Sequence, residues 1–432
     1  MLVKSAAVLI LYYLFDSAFG LSPEFFPCQV QKPANVSPLT GCPSGAIYVN
    51  QNQTDKFAHF HRIQDAVDSL PPNSPAIILI GAGEYHETVN VTRQGPLVLL
   101  GQLPSIPNLS PDSAFYSNPP FPSNLVQVWD NKFVQTGMDD ATSAVLLVAP
   151  SFNASLIGAG PTGAPLQPLF GTSDFKAYNI DFQNRAVSRI YLDWCLYLMM
   201  CDDKANFAIS QALVTDISYA NASFYGCSFA SFQDTWYTGR NGSTYVVDSV
   251  IYGQTDYLFG FGTAWFEKVV LANRACGGGI VAWKGTNLTD APGNRYGAYI
   301  SNSQIIRVRS SCSLENLNPL LNASKSPDAN ATTVTDQRCF LGRPWNDLAT
   351  TVFLSTFMDN SIRPAGWTPF NSDRPVILNT TFYAEFNSTG PGGNTSQRIP
   401  QEHFLTAQQA RDFTIKEVFL EEPKWIDFNY RF

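Results

Sequence analysis

Short apolar runs, many of them β-branched or aromatic, recur along the chain and are cut by Gly, Asn, Asp and Pro. They include AIILIGAGEYHETVNVTRQGPLVLLGQ, SAVLLVA, NASLIGAG, KAYNIDF, NASFYGCSF, STYVVDSVIYG, TAWFEKVVLA, YGAYISNSQII, TTVFLSTFM and PVILNTTFYAEF. Runs of this length between turn residues predict an all-β chain. Two segments depart from the pattern. In FHRIQDAVDSLP, Phe60, Ile63, Ala66, Val67 and Leu70 share one helical face that stops at Pro71, so a short helix is expected near the start. EHFLTAQQARDFT, after Pro400, reads as a second helix placed to cap the open end of a sheet.

A sandwich or barrel built from hairpins competes with a parallel solenoid, and periodicity separates them. Gln211 and Gln233 are 22 residues apart, as are Asp234 and Asp256. The same offset brings Phe224 onto Val246, Phe229 onto Ile251 and Tyr237 onto Phe259, which reads as a set of inward ladders. A fixed period of twenty-odd residues is the mark of stacked coils, so a parallel solenoid is favoured.

That geometry carries chemistry. Residues one period apart lie on neighbouring parallel strands about 4.8 Å apart, so Asp234 stacks on Asp256 and Gln211 on Gln233. Two carboxylates that close do not both ionise cheaply: one keeps its proton while the other is an anion, giving an acid beside a nucleophile or base. The adjacent carboxamides could donate to a developing oxyanion. Solenoids also stack like polar residues that merely satisfy one another. Here Trp236, Tyr237, Tyr257 and Phe259 flank the polar pairs, as in a sugar-binding cleft.

Composition narrows the class. The chain has 432 residues, 45% hydrophobic, 14% charged and 13% aromatic, so it is ordered with ample core. A net charge of −8 argues against nucleic acid or an anionic membrane as partner. Residues 1–20, with an apolar run from Ala6 to Phe15 and the small-residue pattern Ala18-Phe19-Gly20, read as a secretory signal peptide. Glycosylation sequons at Asn52, Asn90, Asn153, Asn221, Asn241, Asn330 and Asn394 agree with secretion and place turns in water. The eight cysteines show no metal-ligand spacing, so zinc is not expected. Cys28 with Cys42 and Cys312 with Cys339 are the local pairs the spacing suggests, although sequence does not fix connectivity.

Five motifs then converge: GEYHE (83–87), QAL (211–213), GCSFASFQDTWY (226–237), DYLFG (256–260) and LGRPW (341–345). Their order and spacing, over about residues 45 to 420, resemble the pectin methylesterases, a family of carbohydrate esterases. The resemblance implies a right-handed parallel β-helix with a short N-terminal helix and a C-terminal capping helix. It implies a secreted monomer that removes methyl esters from homogalacturonan without metal or other cofactor. It implies that Asp256 is the nucleophile, Asp234 the general acid and then base, and Gln211 and Gln233 the oxyanion donors. Arg343 would keep Asp256 ionised, and Trp345, Phe259, Tyr257 and Trp236 would bind substrate. Rival readings are a glycoside hydrolase on the same fold and a catalytically silent pectin-binding protein.

The implied organisation is a leader over 1–20, a Pro-rich lead over 21–44, a catalytic domain over 45–420 and a tail over 421–432. Two features do not fit. GGIVAWKG (278–285) carries Trp283 and Lys284 where many members of that family show Gln-Gly-Arg, which puts substrate contacts there in doubt. Val187–Lys204, VSRIYLDWCLYLMMCDDK, is too apolar for an exposed loop and has no Gly, Pro or Asn. It reads either as a hydrophobic insertion, covering the cleft or pairing Cys195 with Cys201, or as a retained intron. The second is favoured, because 18 residues equal 54 nucleotides and Val-Ser can be encoded as the donor-like GTAAGT.

Overall fold

The structure is a computed structural model that describes residues 21–105, 124–157, 168–186, 209–286, 293–307 and 335–431. Its strands form three parallel sheets of 11, 7 and 8 strands, and every pairing between named strands is parallel. The chain visits the sheets in turn and returns one rung further along, which makes a right-handed parallel β-helix. The 22-residue period is real over the coil that carries the acid pair. Phe224 pairs with Val246, Phe229 with Ile251 and Tyr237 with Phe259. The period is local: Thr215 pairs with Trp236, 21 residues on, and Val246 with Phe266, 20 residues on.

Backbone handedness explains why the coils turn where they do. Asn179, Gly226, Asp248, Lys268, Asn302, Ser355 and Asn387 each directly follow a strand of the 11-stranded sheet, and each has φ between 48° and 59°. This left-handed conformation is least costly for Gly, Asn and Asp. From Asn179 onward, such a residue turns the chain out of the 11-stranded sheet in each coil; the two earlier coils turn at Gly81 and Gln102 without one.

Inside the coil, side chains from the three sheets meet in one apolar column. Phe182 stacks on Phe229 at 5.8 Å, and Phe224 meets Trp236 edge-on at 5.1 Å. Such pairs add about 0.5–1.5 kcal/mol each beyond area burial. Outside it, the far face of the 11-stranded sheet presents Tyr178, Tyr225, Tyr245, Trp265 and Tyr299. Both the lead and the tail cover that face: Phe25 and Cys28 pack there with Trp425, Ile426 and Tyr430. Leu21 bridges Arg431, and Ser22 Oγ donates to Asp427 at 2.7 Å.

The early helix spans Ile63–Asp68 and buries Ile63, Ala66 and Val67 as its pattern requires. The segment after Pro400 departs from expectation. Glu402–Phe404 is the last strand of the 11-stranded sheet; the segment is helical only over Gln409–Asp412, a 3-10 turn, and α-helix follows at Ile415–Phe419. Unpaired edge groups on Tyr383–Glu385 recruit 402–404 into the sheet, and the pairing overrides the helical pattern.

Cys28 bonds Cys42 as the spacing suggests, but Cys339 bonds Cys276 rather than Cys312, which lies outside the described residues. Stacked coils bring sequence-distant cysteines together, which spacing alone does not reveal. Of the sequons described, Asn52, Asn153, Asn241 and Asn394 are exposed, whereas Asn90 and Asn221 are half-buried in strands. Val187–Lys204 and its Cys195 and Cys201, residues 1–20 and Asn330 lie outside the described residues.

Candidate active site

Asp234 and Asp256 occupy equivalent corners of consecutive coils. Gln233 bridges Thr255 and Trp236 pairs with Leu258, so the two aspartates between these pairs face each other across one rung. Both have left-handed backbones, φ 60° and 47°. Asp tolerates this conformation better than most residues. The corner turns both carboxyls to the same side, and both residues are buried, at 7% and 6% exposure.

Their surroundings are unequal. Arg343 Nε donates to Asp256 Oδ1 at 2.9 Å and Arg343 Nη2 donates to Oδ2 at 2.5 Å, a two-pronged charged pair. The Gly279 N–H adds a third donor to Oδ1 at 3.2 Å. The fork is itself held, since Arg343 Nη1 donates to the Phe370 carbonyl at 2.8 Å. Gly278, at φ 123°, leaves room for it: a Cβ there would come 3.2 Å from the guanidinium carbon. Burial pulls the Arg343 pKa down, but its hydrogen bonds to Asp256 and that residue's charge outweigh burial and leave it raised.

Asp234 receives no comparable donor among the described residues. Burial first, then the negative charges of Asp256 and Asp140, push its pKa well above the carboxylate range, against the opposing charge of Arg343. The pair therefore separates into a protonated Asp234 beside an arginine-bound Asp256.

Gln211 and Gln233 lie on adjacent rungs, with the Ala212 N–H donating to the Gln233 carbonyl at 3.1 Å. Both are partly exposed, and neither carboxamide has a partner among the described residues. Their amide N–H groups are available to an oxygen bound at this corner.

The aromatic residues divide in a way sequence did not anticipate. Tyr237, Phe259 and Trp345 form an outer cluster, with centroids 4.7 Å apart for the first two and 5.8 Å for the last two. Trp236 and Tyr257, expected to bind substrate, are fully buried in the interior column. Trp236 Nε1 donates to Thr238 Oγ1 at 2.9 Å, and Tyr257 Oη donates to Asn273 Oδ1 at 2.8 Å. Conversely, the Tyr237–Phe259 ladder lies outside rather than in the column. A one-residue change of phase exchanges the faces of a strand, and the left-handed corner at Asp234 and Asp256 sets that phase.

Further residues reach the site that sequence reasoning left out. Asp140 is 5% exposed, and burial followed by the charge of Asp139 pushes its carboxyl up to about 6, with Lys284 opposing. Lys284 Nζ lies 3.5 Å from the Trp345 ring centroid. Arg374 Nη1 donates to the Trp345 carbonyl, and its guanidinium lies 4.3 Å from the Phe370 ring centroid. Asp140 and Arg374 belong to none of the motifs above, so no sequence signal pointed to them; Lys284 stood out only as a departure.

The Pectinesterase family model matches residues 171–422. A probable pectinesterase A from Aspergillus niger is 25% identical over 393 residues, covering 90% of each chain. A probable pectinesterase/pectinesterase inhibitor from Arabidopsis thaliana is 29% identical over 286 residues, covering 65% of this chain and 44% of that protein. The chain spans 44%, 31% and 53% of the length of three Arabidopsis relatives it matches, less than two thirds of each. A crystal structure of Aspergillus niger pectin methylesterase superposes with a TM-score of 0.62 at 23% identity, covering 90% of this chain and 98% of that one. The family match takes in both aspartates, both glutamines, Arg343 and the aromatic cluster, and the chain belongs to the pectinesterase family.

Proposed function

We propose that this protein hydrolyses the methyl esters of galacturonate units in pectin, releasing methanol. The observation that carries the reading is the asymmetric acid pair: Asp256 gripped by Arg343, and Asp234 held protonated beside it. In the first step an Asp256 carboxylate oxygen attacks the ester carbonyl carbon, and the Gln211 and Gln233 amides stabilise the oxyanion. The carbon–methoxyl bond breaks, methoxide takes the Asp234 proton and leaves as methanol, and an acyl-enzyme remains. Asp234, now ionised, takes a proton from water; the hydroxide attacks the acyl carbon, releasing galacturonate and Asp256.

Trp345, half-buried and backed by the buried Phe259 and Tyr237, provides the aromatic surface against which a sugar ring would pack. The catalytic unit we assign spans residues 45–420. We further infer a secreted monomeric glycoprotein, which the sequence of residues 1–20, the exposed Asn52, Asn153, Asn241 and Asn394, and two disulfides support.

A glycoside hydrolase with stacked carboxylates is the competing chemistry, but two free carboxamides suit an ester oxyanion better than an oxocarbenium ion. The test is to incubate the protein with highly methylated pectin and measure methanol and new reducing ends together. Methanol without reducing ends is expected; reducing ends without methanol would overturn the reading.

A further inference from the structure

The Cys276–Cys339 disulfide lies beside the two strands that hold the nucleophile. Strands Gly279–Trp283 and Phe340–Pro344 are neighbours in the seven-stranded sheet, with Gly279 pairing with Phe340 and Ala282 with Arg343. Cys276 stands just before the first strand and Cys339 just before the second, so the bond closes the end of the pair that faces Asp256.

Cys339 is the fixed end. Its N–H donates to the Ser361 carbonyl at 2.9 Å, and its carbonyl accepts from the Arg363 N–H at 2.8 Å. Cys276, by contrast, opens the run Gly277-Gly278-Gly279, and glycine has the greatest backbone freedom of any residue. The close approach of the coils calls for that run: Gly278 has φ 123°, and a Cβ on Gly279 would come 2.7 Å from the Gly342 Cα. The corner is therefore thin and has little stiffness of its own. Yet Gly279 exchanges two hydrogen bonds with Asp256, donating to Oδ1 at 3.2 Å and accepting from the backbone N–H at 2.6 Å. Gly278 leaves the space that the Arg343 guanidinium fills. Among the described residues no backbone hydrogen bond joins 275–278 to 335–339, so ahead of the strand pair the disulfide is the covalent tie between the glycine corner and the next coil.

Resting on the pectin reading above, we infer that the Cys276–Cys339 disulfide is a positioning element of the active site: it braces the glycine corner that holds the Asp256–Arg343 pair, and its reduction lowers turnover. Cys276 is half-buried whereas Cys339 is 3% exposed, so a small dithiol reaches the bond from the Cys276 side. One thiolate of the reagent bonds to Cys276 Sγ and Cys339 Sγ leaves as a thiolate. The second thiol then displaces Cys276 and closes an oxidised ring, so two electrons and two protons pass to the cysteines.

The experiment compares wild type, Cys276→Ser/Cys339→Ser and, as a control for loss of a disulfide elsewhere, Cys28→Ser/Cys42→Ser. Methanol release gives kcat and KM, and amide hydrogen exchange reads residues 277–283 and 340–344 without turnover. The site variant is expected to exchange faster over both stretches and to lose about tenfold in kcat with KM little changed. The acid limb of its pH–rate profile should move to higher pH, because a loosened fork favours the Asp256 anion less. The control is expected to melt at lower temperature with kcat, exchange and acid limb unchanged. Treating wild type with dithiothreitol should reproduce the loss in kcat while alkylation maps the new thiols to Cys276 and Cys339, and this arm decides the matter if the serine variant is not secreted. Unchanged exchange over both stretches, an unchanged kcat, or unfolding of the whole chain on reduction would overturn the inference. Faster exchange in the site variant of a chain whose wild type releases no methanol would support the brace and refute the proposed reaction.

Discussion

Arg343 forks onto both carboxylate oxygens of Asp256, while Asp234, on the adjacent rung, has no such partner among the described residues. This difference turns two like residues into an acid and an anion. It predicts that Arg343→Ala lowers kcat by roughly a hundredfold, on the scale of losing a preorganised charge at a reacting group. Arg343→Lys should recover only part of the loss, because an ammonium cannot occupy both oxygens in one plane. The check is steady-state methanol release with KM and kcat separated; a change in KM alone would contradict it.

Asp140 gives a second handle on the same pair. Its negative charge helps hold the Asp234 pKa up, and it ionises at about 6. Activity requires protonated Asp234 in the first step, so the rate falls as pH rises through the Asp234 pKa. Asp140→Asn removes a charge that favours the proton, so the alkaline limb of the pH–rate profile should move to lower pH. A limb that stays in place or moves to higher pH would break the link between the two carboxyls.

Far from the site, Glu402 predicts how stability depends on pH. Burial, then the neighbouring Glu385, push its pKa up to about 9, although Trp367 and Arg398 oppose the shift. The folded state keeps a proton that the unfolded chain releases near 4.5. This group's contribution to stability is therefore fully present below about 4.5 and is lost as pH rises towards 9. Urea unfolding midpoints measured across that range should fall with pH, less steeply in Glu402→Gln. Identical slopes in the two proteins would contradict the assignment.

The segment Val187–Lys204 can be tested through its ends. Ala186 and Ile209, on either side of residues 187–208, share one small apolar cluster with Ala212 and Phe133. The chain therefore leaves and returns to the helix at one place, just before Gln211. A form lacking Val187–Lys204 is expected to be secreted in higher yield and to release methanol faster than the full chain. A more active full chain, with a mature transcript that retains the 54 nucleotides, would make the segment a working insertion.

Much of this was legible because stacking imposes a period. The spacing of Asp234 and Asp256 sets their rung, and the ladders at Phe224, Phe229 and Tyr237 lie in the register that spacing predicts. What the period does not encode is face. Trp236 and Tyr257 sit beside the catalytic candidates in sequence but point inward, because a left-handed residue resets the alternation that follows it. The Cys276–Cys339 bond was equally hidden, since it joins residues 63 apart that only the coil geometry makes neighbours. Asp140 reaches the site from another coil and belongs to no motif.

The measurement that bears most directly on the account is methanol release by Asp256→Asn, with folding checked by circular dichroism and thermal melting. The substitution keeps the shape of the side chain and removes the attacking anion. The account predicts a folded protein that releases no methanol from methylated pectin above the blank. A folded Asp256→Asn protein that retains more than a few per cent of wild-type activity would contradict it.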